Sequence, residues 1–165
     1  MTTLDELFGA RTALILEHEV APTARFTGFT RYALLDRGSY DFLEPVADPL
    51  IDQLRLRAER ATGRALAVAG ARVLRLGPGD YLLAHHDRPS DGHPLELVAD
   101  LSPTATPGAE VHYRRRGQVY FRVPSAPGSL AIVERGPTVT CNHTYVSKRS
   151  PEACVIRLMI LLRDR

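Results

Sequence analysis

Gly77-Pro78-Gly79-Asp80-Tyr81-Leu82-Leu83-Ala84-His85-His86-Asp87 compresses a turn, a short strand and a set of metal-competent side chains into one stretch. The Gly-Pro-Gly-Asp cluster ends whatever precedes it and restarts the chain in a new direction. Tyr81 to Ala84 then has the apolar character of a strand. Strand side chains alternate between faces, so the imidazole of His85 and the carboxylate of Asp87, two residues apart, project to one side and can share an ion. His86 points the other way. A further histidine from a distant strand would complete a two-histidine, one-carboxylate facial triad, whose vacant positions suit non-haem ferrous iron that must also bind other ligands. His143, alone at the end of a later apolar segment, is the candidate.

A His-x-Asp pattern carries little weight by itself. Six histidines and ten aspartates in 165 residues give about 0.4 such patterns by chance. Weight comes from company, and above all from Arg157. In Val155-Ile156-Arg157-Leu158-Met159-Ile160-Leu161-Leu162 both strand faces are apolar, so a guanidinium on either face is buried. A buried charge without a partner costs several kcal/mol. The partner is a carboxylate, either from an Asp or Glu of the same chain or from a ligand held bidentately.

Outward from these residues the punctuation is that of a β protein. Ala65 to Ala69, Ala71 to Leu76, Tyr81 to Ala84, Leu95 to Leu101, Glu110 to Tyr113, Gln118 to Val123, Ser129 to Val133, Thr138 to Asn142 and Ala153 to Leu162 are short apolar segments separated by turn residues. Many short, evenly spaced strands predict a sandwich or barrel, and jelly rolls are the version that commonly holds metals and small ligands in the mouth. Before them, Thr12 to Val20 and Phe26 to Leu35 read as strands. One helix is well signed: Asp48 as N-cap, Pro49 as first residue, Leu50, Ile51, Leu54, Ala58 and Ala61 at helical spacing, and Gly63 as stop. The expectation is a mainly β, α+β single domain over residues 1–165. Residues 1–63 supply N-terminal strands and one or two supporting helices, and 64–165 form a jelly-roll core.

Composition excludes several classes of function. The formal charge is +2, and of 21 basic residues only Lys148 is a lysine. The arginines are dispersed apart from Arg114-Arg115-Arg116, and three charges in an amphipathic hairpin describe a solvated face rather than a phosphate track, so no nucleic-acid partner is expected. No apolar run approaches the roughly 18–20 residues that span a bilayer. The first twenty residues lack the basic start and apolar centre of a signal peptide, and two cysteines, Cys141 and Cys154, make no disulfide framework. A cytoplasmic protein, monomer or homodimer, without a membrane partner, is expected.

In their order these residues resemble the iron(II)- and 2-oxoglutarate-dependent dioxygenase superfamily, near its prolyl-4-hydroxylase-like branch. The matching elements are Tyr81 to Asp87, the Pro107-Gly108-Ala109-Glu110-Val111-His112-Tyr113 segment, the Pro127-Gly128-Ser129-Leu130 turn, His143 and Arg157, and the likeness spans about residues 64 to 163. It implies a double-stranded β-helix and Fe(II) held by His85, Asp87 and His143. It also implies 2-oxoglutarate chelated to that iron with its distal carboxylate on Arg157, and dioxygen as co-reactant. The implied reaction converts 2-oxoglutarate to succinate and carbon dioxide and hydroxylates an aliphatic carbon, since a carboxylate stands at position 87 where halogenating relatives have a small residue. Two departures stand out. The 14-residue interval from His143 to Arg157 is long for the pattern and requires an extended hairpin over Ser147 to Glu152, and Met159 replaces the serine that assists the arginine in some relatives. Tyr81, sharing strand parity with Leu83 and His85, is the substitute hydroxyl for the cosubstrate.

The substrate is read as a small molecule, a free amino acid or metabolite, because a chain this short has little room for a peptide-docking subdomain. His93 in a loop, Arg116 in the basic cluster and Tyr113 are the candidate substrate contacts; of His112 and Tyr113, alternation allows only one inside. Two alternatives stand beside this reading: a metal-binding jelly roll without oxygenase activity, zinc-bound with help from Cys141 or cupin-like, and a cofactor-free sandwich that acts as an interaction module.

Overall fold

The helix starts where a carboxylate can cap it. The Asp48 side chain accepts from the Leu50 amide at 2.8 Å, Pro49 occupies the first turn, and Gly63 closes the other end with φ 68°, its amide on the Glu59 carbonyl at 2.8 Å. This helix, α1 (Pro49–Thr62), buries Leu50, Ile51, Leu54 and Ala58. The computed structural model describes residues 2–3, 13–17, 28–34, 38–44, 48–85, 95–135 and 139–165. His86, Asp87 and His93 lie outside them, and His85 is placed by its backbone alone.

Among the described residues the remaining elements are strands: β1 (Thr2–Thr3), β2 (Ala13–Glu17), β3 (Thr30–Leu34), β4 (Gly38–Leu43), β5 (Leu66–Leu76), β6 (Tyr81–His85), β7 (Leu95–Asp100), β8 (Val111–Arg115), β9 (Gln118–Val123), β10 (Ser129–Glu134), β11 (Val139–His143) and β12 (Val155–Asp164). Every pairing is antiparallel, in the order β1-β2-β10-β7-β12-β5-β4-β6-β11-β8-β9, with β3 on β4. β10-β7-β12-β5 and β6-β11-β8-β9 are the two four-stranded sheets of a jelly roll, with consecutive strands from β5 to β12 placed in opposite sheets except for the β8–β9 hairpin. β4 closes one side by pairing with both β5 and β6.

Two apolar clusters fix the layers. Leu66, Val73, Leu97, Leu130, Leu158 and Ile160 turn outward beneath α1, whereas Leu74, Leu82, Val98, Val111, Tyr113, Val133, Cys141 and Met159 fill the space between the sheets. β12 contributes to both, so it is buried on both faces. Its even-numbered residues face the helix, and Val155, Arg157 and Met159 face the interior. Among the described residues no helix is long and apolar enough to cross a membrane.

The expected strands are found, with three differences, of which the first is the unexpected two-residue β1. Gly70 does not divide the segments on either side of it: β5 is continuous, and its ladder with β12 absorbs the irregularity as a register shift beside Leu161. β4 was not expected, because Gly38 and Asp41 interrupt its apolar residues. Its entry depends on glycine. Gly38 has φ 115°, and a Cβ there would stand 1.9 Å from the Tyr81 carbonyl oxygen. Gly63 also has positive φ, with no atom within 4 Å of such a Cβ. Gly63→Ala should therefore cost the roughly 1–2 kcal/mol of left-handed backbone alone, and Gly38→Ala clearly more, read by urea denaturation. Equal costs would remove the close β4–β6 approach from this account.

Candidate metal and anion site

Arg157 sits on the inner face of β12 with 1% of its surface exposed. Its Nη2 donates to the Ala109 carbonyl at 2.7 Å and its Nη1 to His143 Nδ1 at 3.0 Å. A guanidinium has no lone pair to offer, so the histidine nitrogen is the acceptor. Nε is buried and has no hydrogen-bond partner, and no carboxylate among the described residues forms an ion pair with this side chain. Asp100 is its Cα partner on β7. That carboxylate is committed elsewhere, accepting from the Ser102 amide at 2.9 Å and the Ala126 amide at 2.8 Å. Burial pushes the Arg157 pKa down to about 10, against partial support from the charge of Asp100. The group is therefore still a cation at neutral pH, in an apolar interior, with one side of its fork unmatched.

His143 ends β11, 1% exposed, on the same inner face as Cys141 and Val139. The residue after it locks the neighbourhood. Thr144 Oγ1 donates to the Gly108 carbonyl at 2.7 Å and accepts from the Glu110 amide at 2.8 Å, while the Thr144 amide reaches the Glu110 carbonyl at 2.9 Å. These bonds hold the Pro107-Gly108 turn so that the Ala109 carbonyl meets Arg157. The long His143–Arg157 interval is taken up by two successive turns, with the Ser150 amide on Ser147 and the Ala153 amide on Ser150.

The strand carrying His85 is pinned at its entry. Asp80 accepts both Nη groups of Arg31 at 2.8 and 2.5 Å, Ser39 Oγ at 2.8 Å and the Gly77 amide at 2.8 Å. Around it, the Gly79 amide and the Asp80 carbonyl pair with Val146, just beyond His143. β6 and β11 then run side by side with His143 opposite Leu82 and Cys141 opposite His85. One extra β6 residue lies between those pairs. Such a bulge resets which residues face inward, so strict alternation does not run through β6. Leu82 is buried, and Leu83, on the strand face of Tyr81, is 48% exposed. Tyr81 is half-buried with its ring 6.4 Å from that of Tyr145, and supplies none of the hydrogen bonds of Arg157.

The remaining candidates are dispersed. Tyr113 is the inward member of the His112–Tyr113 pair, fully buried, with its hydroxyl on Glu96 at 3.0 Å, and burial followed by the Glu96 charge pushes its pKa up. His112 pairs with Glu110 at 2.7 Å. Arg116, with φ 53°, and Gly117 form the tight exposed turn between β8 and β9. Sequence reasoning missed the buried Glu96–Arg135 ion pair, in which Glu96 outweighs the burial that would otherwise lower the Arg135 pKa. The signal was present: Glu96 and Asp100 are charges on one face of an apolar strand, the same anomaly that singled out Arg157.

No family model and no curated protein matches the sequence. Solved structures do match. A 2OG-Fe(II) oxygenase family oxidoreductase from Burkholderia pseudomallei superposes over 96% of this chain and 86% of its own with TM-score 0.68 at 11% identity. The fold is that of the 2OG-Fe(II) oxygenases. A prolyl hydroxylase from Trichoplax adhaerens, solved with a hypoxia inducible factor peptide fragment, shares this oxygenase fold over 98% of this chain and 87% of its own, with TM-score 0.63 and 10% identity. So does the alpha ketoglutarate dependent carbocyclase SnoK from nogalamycin biosynthesis, over 83% and 68%, with TM-score 0.60 and 14% identity.

Asp80 makes this scaffold sensitive to acid. Burial raises its pKa, but the hydrogen bonds from Arg31, Gly77 and Ser39 outweigh it and hold the carboxyl below the usual range. A carboxyl with a depressed folded pKa adds stability above its unfolded value of about 4, and that stability is lost as pH falls through the folded value. Asp80→Asn should cost about 1–3 kcal/mol near neutrality, and the gap to wild type should close in denaturation curves taken well into the acid range. A gap of constant size would show that the charge of Asp80 anchors nothing.

Proposed function

We propose that the protein is an Fe(II)- and 2-oxoglutarate-dependent oxygenase that hydroxylates an aliphatic carbon of a small molecule while 2-oxoglutarate is converted to succinate and carbon dioxide. The observation that carries the reading is Arg157: a charged, buried guanidinium inside the jelly roll, bonded to a carbonyl and an imidazole, with no ion-pairing carboxylate among the described residues. A dicarboxylate ligand supplies what is missing, through a bidentate pair with the fork.

The residues fit the implied metal by donor type and by register. His143 is buried on the inner face beside Arg157, His85 lies on the adjoining strand in register with Cys141, and two imidazoles with the carboxylate of Asp87 are a donor set suited to ferrous iron. The chemistry such a centre supplies is dioxygen activation coupled to oxidative decarboxylation of 2-oxoglutarate. The chain supplies aim and protection. Arg157 takes the distal carboxylate, the packed apolar interior excludes water, and the Thr144 clamp fixes the Ala109 carbonyl that orients the fork. A carboxylate arriving at Arg157 also draws it from His143 Nδ1. That nitrogen can then carry the ring proton and leave the lone pair of Nε2 for a metal.

A zinc-holding jelly roll without oxygenase activity is the second reading, favoured by the buried thiol of Cys141 two residues from His143 on the same face. Anaerobic titration separates the two. Ferrous iron followed by 2-oxoglutarate should produce a weak visible charge-transfer band in the wild type, and His143→Ala should abolish it. Tight zinc binding with no band on iron and 2-oxoglutarate would support the second reading.

A further inference from the structure

The inner face of β12 continues beyond Arg157 to Met159 and Leu161, at about 7 and 13 Å along the strand. There a cavity of about 230 Å³ is lined by Phe42, Glu44, Gly70, Arg72, Met159 and Leu161, and by Glu96. Tyr113 donates to Glu96 and pairs across β8–β11 with Cys141, itself the register partner of His85. The cavity is therefore lined by the strand that carries Arg157 and is linked through Glu96 and Tyr113 to the β8–β11–β6 ladder that ends at His85.

Three features describe its occupant. The volume is below the roughly 300–1,000 Å³ of pockets for drug-sized ligands, so it suits a small metabolite rather than a peptide. Phe42, Met159 and Leu161 give an aliphatic or aromatic surface. Glu44 and Arg72 bring opposite charges to one edge, since the β4–β5 ladder pairs Leu43 with Val73 and the next step places Glu44 against Arg72. The charge of Glu96 is already neutralised by Arg135. The five donors of Arg72 allow it to hold a carboxylate beside another contact.

Gly70 sets the size. It stands at the β5 register shift, and a Cβ built there meets nothing within 4 Å. Glycine inside a strand weakens it and commonly marks a site where a ligand comes close to the backbone. Its backbone does not require positive φ. Without a side chain, Gly70 leaves open the part of the cavity that it lines.

We propose that this cavity is the substrate pocket, that its occupant is a free, zwitterionic amino acid with an apolar side chain, and that Gly70 is the specificity-determining residue that admits it. The ammonium group pairs with Glu44 and the carboxylate with Arg72, and the side chain lies over Gly70. The substrate role rests on the oxygenase reading, whereas occupancy of the pocket does not.

The test is calorimetric binding of free L-leucine, L-isoleucine, L-valine, L-proline and L-methionine to the whole protein, with and without ferrous iron and 2-oxoglutarate under anaerobic conditions. At least one should bind, its N-acetyl and methyl ester forms at least tenfold more weakly. Gly70→Leu should abolish that binding with the melting temperature retained, and Glu44→Gln, an exposed change, should weaken it about tenfold. Binding of an amino acid that Gly70→Leu leaves intact, equal binding of the blocked forms, or no binding of any of the five overturns the proposal. If the amino acid binds and is blocked as expected while iron and 2-oxoglutarate give no spectral change, the pocket stands and the oxygenase reading falls.

Discussion

Among the charges buried in the interior, Arg157 stands apart because no carboxylate among the described residues forms an ion pair with it. A guanidinium enclosed between two sheets loses its hydration, and only two of its donor groups are matched by neutral acceptors, the Ala109 carbonyl and His143. The neighbouring carboxylate that could have neutralised it, Asp100, is tied to two backbone amides. Even a complete buried ion pair is often replaced by well-packed apolar residues at no cost to stability, so a buried charge is weak evidence of a role in folding. With no ion-pairing carboxylate among the described residues and only partial support from the charge of Asp100, the guanidinium is placed to receive an incoming carboxylate.

The fold serves that charge by holding together two strands that are consecutive in the chain but do not pair with each other. β11 and β12 lie in opposite sheets, and His143 and Arg157 meet across the interior because their register is fixed at both ends. Asp80 with Arg31 pins the entry to β6, Thr144 pins the exit from β11, and the β6 bulge brings His85 into register with Cys141. Apolar packing beneath α1 holds the major sheet from outside, so the inner face is left for chemistry.

Much of this was legible in the sequence because the signals were local. Asp48, Pro49 and Gly63 bound the helix residue by residue, and the strands followed from apolar runs between turns. Arg157 was legible because a charge inside an apolar strand has few explanations. What escaped notice depends on pairing between distant segments. β4 is a strand because β5 and β6 flank it, not because of its own residues. The role of Gly38 is invisible without the Tyr81 carbonyl, and the bulge in β6 shows only once β6 is paired with β11. The Glu96–Arg135 pair required knowing that β7 and β10 lie side by side, with Glu134 opposite Leu95.

The central claim, that Arg157 is held buried for a ligand rather than for folding, is tested most directly by the stability of Arg157→Met with and without 2-oxoglutarate in the presence of an oxidation-resistant divalent metal. The account predicts a variant within about 1–2 kcal/mol of wild type when no ligand is added, because an apolar side chain of similar reach replaces a costly charge. It further predicts that 2-oxoglutarate at a hundredfold its dissociation constant stabilises the wild type by about 2.7 kcal/mol and the variant not at all. A variant destabilised by about 3–5 kcal/mol that 2-oxoglutarate still stabilises as it does the wild type would make Arg157 a structural residue and contradict the account.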